Sequence, residues 1–185
     1  MTSATMTDIF HDAVRVCPDR VYCKSANQSL TYSEAAKAIG AVGRGLGPTV
    51  RGRAVALVLP NSAAFLISYF AVLSAGAYPV LVNYAHPDAN VTKLLEGIDL
   101  GAVLSDRDIP GLDVSKFDDA ALTKLVSDGT APHAAVATPP EGIGAILFSG
   151  GTTGLPKKVA HTNKMLVAAV ERMEWGWPTN DREIW

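Results

Sequence analysis

The chain has 185 residues and a mass of 19.4 kDa, enough for one domain with a real core, and its 48% apolar and 18% charged residues exclude a disordered chain. A net charge of -2 without any basic block leaves no electrostatic footprint for nucleic acid. Cys17 and Cys23 are too few for a disulfide framework, and His11-x5-Cys17-x5-Cys23 matches no usual metal spacing, so both read as buried thiols of a cytoplasmic protein.

No apolar run follows a basic start at the N-terminus, which argues against a signal peptide. Thr7 to Cys17 repeats apolar residues at helical spacing (Ile9, Ala13, Val14, Cys17), and Pro18 ends the run. Val21 to Cys23 and Ser29 to Thr31 flank a polar turn at Ala26 to Gln28 and predict a small hairpin. In LTYSEAAKAIGAVGRGL, Leu30 to Leu46, Ser33 is the expected cap, and Ala36, Ile39, Val42 and Leu46 form one helical face. The glycines that close this helix do not make a dinucleotide fingerprint, because Pro48 stands where the third glycine belongs and the cluster follows a helix.

Arg53 to Leu59 predicts a strand, Ser62 to Ala75 a helix apolar nearly all round, and Ala77 to Val82 a second strand. Short connections and continuous apolar strands favour a right-handed parallel crossover in a layered α/β sheet. No charged residue occurs from Ala54 to Ala85, but Pro60, Gly76 and Pro79 cut the stretch. The longest helical piece is then about fourteen residues, too short to span a bilayer. A helix of that character must be covered on more than one side, so an exposed apolar face and self-association are expected. Asp88 to Ile98 reads as a helix, Ala102 to Leu104 as a strand and Ser105 to Asp108 as a turn. Phe117 to Ser127 reads as a helix, and Gly129 to Glu141 as a Pro- and Ala-rich connector.

The most informative stretch is Ile146 to Asn163, ILFSGGTTGLPKKVAHTN. Ala145 to Phe148 has the apolar run of a buried strand, and a loop follows from Ser149 to Pro156. Its glycines, Gly150, Gly151 and Gly154, let backbone amides curl toward a ligand. Ser149, Thr152 and Thr153 add hydroxyl donors, and Lys157 a mobile point charge, a combination suited to a polyphosphate. The same composition also makes ordinary surface turns. A Walker-type loop fails on spacing, since Leu155 or Pro156 stands where its second glycine is required. After the loop, Val159 continues the apolar pattern and Thr162 caps a helix with Met165, Leu166, Ala169, Val170 and Met173 on one face. Trp175 and Trp177 are expected to pack against the sheet, and none of His11, His86, His133 and His161 takes a catalytic role.

The order of residues in FSGGTTGLPKKV resembles the signature loop of the adenylate-forming (AMP-binding) superfamily: acyl-CoA synthetases, aryl-acid AMP ligases, peptide-synthetase adenylation domains and luciferases. Gly151, Thr152, Thr153, Gly154, Pro156, Lys157 and Val159 fall on the places of that pattern, whereas Lys158 replaces its usual glycine and Asn163 a common histidine. Leu30-Thr31-Tyr32-x-Glu34 and FAVLSAGAYPVLVN, Phe70 to Asn83, are similar to two further family segments. Asn83, where peptide-synthetase domains more often have aspartate, tilts the resemblance toward CoA ligases.

The resemblance implies a layered, mostly parallel sheet with helices on both faces, formed by residues 1–185 as the N-terminal part of the large AMP-binding domain, with the phosphate loop at 148–159. It implies ATP-dependent activation of a small-molecule carboxylic acid as acyl-adenylate, followed by transfer to CoA. Thr152 and Thr153 would then contact the ATP phosphates through hydroxyls, Gly150, Gly151 and Gly154 through amides, and Lys157 through charge, with Ser149 beside them. Lys158 is either solvated or a further phosphate contact. The Mg2+ ligand, the acid pocket, the hinge aspartate and the catalytic lysine of the family are expected outside this chain, so the chain alone is not expected to catalyse adenylation. Three alternatives stand beside this one: a free-standing nucleotide-binding module that needs a partner, an aryl-acid AMP ligase or peptide-synthetase adenylation domain, and an interaction domain whose loop is only structural.

Overall fold

The computed structural model describes residues 5–25, 28–128, 136, 139, 141–150 and 156–176, the last four in backbone alone. Part of the Ala26 to Gln28 turn, most of the connector with His133, and Trp177 lie outside the described residues, as do the side chains of Met173 and Trp175.

The molecule is built on a six-stranded sheet of order β6-β5-β3-β4-β7-β8. Its strands are β3 (Ala54–Val58), β4 (Tyr78–Leu81), β5 (Leu100–Ser105), β6 (Ser115–Lys116), β7 (Ile143–Phe148) and β8 (Lys158–Thr162). Every neighbouring pair is parallel except β7 with β8. A separate antiparallel hairpin joins β1 (Val21–Lys24) to β2 (Ser29–Thr31), as its sequence predicts. β3 is buried at all five positions, which is what its uninterrupted AVALV run requires of a strand covered on both faces.

Alternate β3 side chains feed two cores. Val55 and Leu57 join the cluster that includes α1 (Met6–Val16), α2 (Tyr32–Leu46), α3 (Ala63–Ser74) and α5 (Asp119–Ser127). Ala54, Ala56 and Val58 join the cluster under α4 (Asp88–Leu95). The chain moves from β3 to β4 through α3 and from β6 to β7 by way of α5, both on the first face. It moves the opposite way, from β4 to β5, through α4 on the second. Opposite directions on opposite faces is the arrangement a single crossover hand demands. The layered sheet with helices on both faces is therefore present, and α3 is covered by the sheet on one side and by α1, α2 and α5 on others.

Helix starts are fixed by side chains that satisfy orphan amides. Thr5 with Asp8, and Thr31 with Glu34, form capping boxes at α1 and α2, and Ser62 Oγ accepts from Phe65 N at 3.2 Å at α3. Thr31, not Ser33, is thus the cap of α2, because only Thr31 keeps an extended backbone while its hydroxyl reaches the Glu34 amide. With that start, the buried face runs through Ala35, Ala38, Ile39 and Val42, and Ala36 and Leu46 pack at its margin.

Other expectations shift for similar reasons. Phe10, not Ile9 or Val14, is the apolar side chain that α1 buries, stacked among Tyr22, Tyr32 and Phe70. Phe117 precedes α5, because Asp118 takes the cap position and the chain before it forms β6. In α6 (Asn163–Gly176), Asn163 and Val167 face inward while Met165 and Ala169 are exposed, which corrects the expected face. Cys17 and Cys23 are free and only half-buried, correcting the reading of both as buried. No helix among the described residues is long and apolar enough to cross a membrane.

Candidate functional site

The predicted loop leaves the carboxyl end of β7 and returns as β8. The sequence reading continues the apolar pattern at Val159 without recognising a strand; in the structure Lys158–Thr162 pairs antiparallel with β7, Phe148 opposite Lys158 and Ile143 opposite Thr162. The loop is thus the tip of a hairpin whose first strand is inside the sheet and whose second is its edge.

Where the hairpin opens, Ser149 and Lys157 close a neck. Ser149 N donates to Lys157 O at 2.9 Å, and Lys157 N donates to Ser149 Oγ at 3.3 Å. The Ser149 hydroxyl is also 3.4 Å from Lys157 O, so it is engaged with backbone at the neck. Gly150 is exposed, and among the described residues a β-carbon there would meet nothing within 4 Å. The Lys157 side chain is exposed beside it. Gly151, Thr152, Thr153 and Gly154 lie outside the described residues. Lys158 is exposed, and its Nζ donates to the carbonyl of Glu96, the residue that caps the C-terminal end of α4.

The base of the hairpin is fixed from the core. Asn163 N donates to Gly142 O at 2.9 Å, and Thr162 Oγ1 accepts from Met165 N at 3.2 Å, which makes Thr162 the expected cap of α6. Asn163 is 1% exposed and lies against Gly144, whose carbonyl accepts from the Tyr69 hydroxyl of α3 at 3.4 Å. Burial pushes the Tyr69 phenol up to about 12.

On the other side of β7, the register Val80 opposite Ile146 carries the exit of β4 to the same edge of the sheet. That exit, Asn83 to Pro87, is turned by Asn83 Oδ1, which accepts from Ala85 N at 2.9 Å. Arg107 holds it: Nε donates to Asp88 Oδ1 at 2.9 Å, and Nη2 donates to the carbonyls of Tyr84 at 3.2 Å and His86 at 3.3 Å. The guanidinium carbon also lies 4.3 Å from the centre of the Tyr84 ring. Sequence reasoning missed Arg107, since nothing in the local pattern signals contacts twenty residues back.

A cavity of about 270 Å³ opens at the same edge, lined by Leu59, Pro60, Ser62, Asp106, Asp118, Asp119 and Ala120. It belongs to the exits of β3, β5 and β6, across β4 from the loop, and its three carboxylates have the wrong sign for a polyphosphate. Among the described residues no group of three or more His, Cys, Asp or Glu side chains is placed to hold a metal ion.

Comparison with known proteins bears on the family and the fold. The sequence pattern of the AMP-binding enzyme family matches residues 10–185. Triostin synthetase I of Streptomyces triostinicus is 30% identical over 192 residues, which cover 91% of this chain and 36% of that protein. The medium/long-chain-fatty-acid–CoA ligase FadD6 of Mycobacterium tuberculosis is 26% identical over 187 residues, covering 91% of this chain and 31% of that protein. The chain therefore spans about a third of these two relatives, and 2% of the nonribosomal peptide synthetase easA of Emericella nidulans. Among solved structures, the N-terminal subdomain of Klebsiella oxytoca NpsA, in complex with 3-hydroxybenzoyl-AMSN, superposes with a TM-score of 0.73 at 25% identity, over 86% of this chain and 41% of that one. VinN with L-aspartate gives 0.80 at 21% identity, over 94% of this chain and 48% of that one, which speaks for the fold. With the family pattern matched from Phe10 to the last residue, and the fold shared with these enzymes, the chain belongs to the AMP-binding enzyme family, the adenylate-forming superfamily.

Proposed function

We propose that the chain supplies the triphosphate grip of an enzyme that activates a carboxylic acid with ATP as the acyl-adenylate and passes the acyl group to CoA. The observation that carries this reading is the neck, in which Ser149 and Lys157 exchange backbone and hydroxyl bonds at the edge of the sheet formed by the carboxyl ends of the parallel strands. That edge is where ligands of open α/β sheets bind. Gly150, with no described residue crowding its α-carbon, suits the close approach of a ligand to backbone amides.

The barrier in such a reaction is electrostatic, because a carboxylate attacks the α-phosphate and pyrophosphate leaves. Donors fixed around the departing phosphates act on charge that grows in the transition state. In this reading Thr152 and Thr153 donate hydroxyls, Gly150, Gly151 and Gly154 donate amides, and Lys157 neutralises charge. Ser149, its hydroxyl already engaged, keeps the neck closed. The Mg2+ ligand is expected outside this chain, and the described residues take on no such role.

A second reading, a peptide-synthetase adenylation domain that hands its acyl group to a different thiol, is favoured by the 30% identity to Triostin synthetase I. Asn83, where peptide-synthetase domains more often have aspartate, tilts the resemblance toward CoA.

The grip is tested by titrating ATP into wild type, Thr152→Ala and Lys157→Ala. Removing the ammonium from a phosphate contact weakens binding by about tenfold, equivalent to about 1.4 kcal/mol. Equal affinity of all three proteins would remove the phosphate role. Pyrophosphate exchange by the protein with its remaining segments, across a panel of carboxylic acids with CoA added or withheld, separates the two readings.

A further inference from the structure

The loop's two ends are held unequally. Its entrance strand β7 lies between β4 and β8, and Ile146 and Phe148 pack into the core under α4. Its exit strand β8 has one neighbour in the sheet, β7 itself, and Lys158, Val159 and Ala160 are exposed. Within the sheet, therefore, pairing with β7 is the one connection that holds the exit strand.

Lys158 supplies a connection outside the sheet. Residues paired across an antiparallel ladder project to the same face, so Lys158, opposite Phe148, stands on the side where Phe148 meets the α4 cluster. From there its ammonium donates to the carbonyl of Glu96, 62 residues back in the chain. The acceptor sits at the C-terminal end of α4, where unpaired carbonyls and the helix dipole favour a cation. The family pattern has glycine here, a residue with no side chain to make such a bond.

We propose that Lys158 is a positioning residue: by tying the first residue of β8 to the end of α4, it fixes the exit of the loop and so the placing of Lys157 next to it. This rests on the triphosphate reading above and concerns how the grip is held, not which atoms touch phosphate.

The test compares wild type, Lys158→Met, Lys158→Arg and Lys157→Ala by backbone amide exchange and by titration with Mg2+-ATP. In Lys158→Met, exchange at Val159 and in the last turn of α4 rises, and Mg2+-ATP binds about three- to fivefold more weakly, the range set by a cation at a helix end. Lys158→Arg, which still reaches the carbonyl, restores both, and the denaturation midpoint stays at the wild-type value in each. Unchanged exchange in Lys158→Met overturns the proposal, and if affinity still falls, Lys158 touches phosphate directly. Failure of the underlying reading has a separate signature: Lys157→Ala binds as tightly as wild type, and the positioning role then has nothing to position.

Discussion

A β-carbon on Gly144 would stand 2.7 Å from Leu166 Cδ1 and 3.1 Å from both the backbone nitrogen and Oδ1 of Asn163. The leucine methyl can rotate away, but the Asn163 nitrogen is bonded to Gly142 O and cannot. Gly144 is thus what lets the start of α6 lie directly on β7. Gly144→Ala is expected to lower stability by about 1–3 kcal/mol, the usual cost of overpacking a filled site, read as a shift of the urea midpoint. Gly150, at the same strand's exit, meets no crowding among the described residues. One glycine makes room for the protein's own backbone and the other leaves room outside it. The sequence distinguishes the second, because it sits in a recognisable order of residues, but not the first, which reads as one more small residue in an apolar run.

At the scale of elements, α3 shows how a start signal is shared. Ser62 serves the Phe65 amide, while the Ala64 amide donates to Asp119 Oδ1 at 2.8 Å, a carboxylate from the first turn of α5. Negative charge at a helix N-terminus is favourable as well as hydrogen-bonded. Asp119→Ala is expected to cost about 1–2 kcal/mol, with Asp119→Asn recovering most of it, by chemical denaturation. Most elements were legible: periodicity located α2, α3, β3, β4 and β7, each within a few residues, since long apolar runs and Pro or Gly boundaries mark them. What escaped was set by partners distant in the chain. Phe10 is inward because Tyr22, Tyr32 and Phe70 surround it, although Ile9 and Val14 fit the spacing equally well. β8 escaped because an edge strand exposed at its first three positions has no alternation to read. The identity of the loop was legible in its residue order, whereas its neck, and the tether from Lys158 to α4, depend on backbone geometry that no local pattern encodes.

For the molecule as a whole, the first core contains acids that burial keeps neutral. Burial, and then the negative charge of Asp119, pushes the Cys23 thiol up to about 11, and burial raises Tyr22, Tyr69 and Tyr32 above the ordinary phenol. The unfolded chain gives up these protons first, so stability is complete below the ordinary thiol value, about 8.5, and falls as pH climbs toward 11. Equilibrium unfolding followed between pH 7 and 11 is expected to show a falling midpoint that begins near pH 8.5 and steepens where phenols titrate. A flat profile would mean that Tyr22 and Cys23 are reached by solvent in the folded chain. The core that brings α1, α2, α3 and α5 together is therefore a part of the protein sensitive to alkali.

The hairpin that carries the loop is fastened like a door. One post, β7, is set in the wall of the sheet, and the other, β8, stands at its edge, with a lysine latch to α4 at its first residue. The strand that delivers Lys157 is thus the less braced of the two, and on this side the hairpin depends on a side chain, where on the other it has a neighbouring strand.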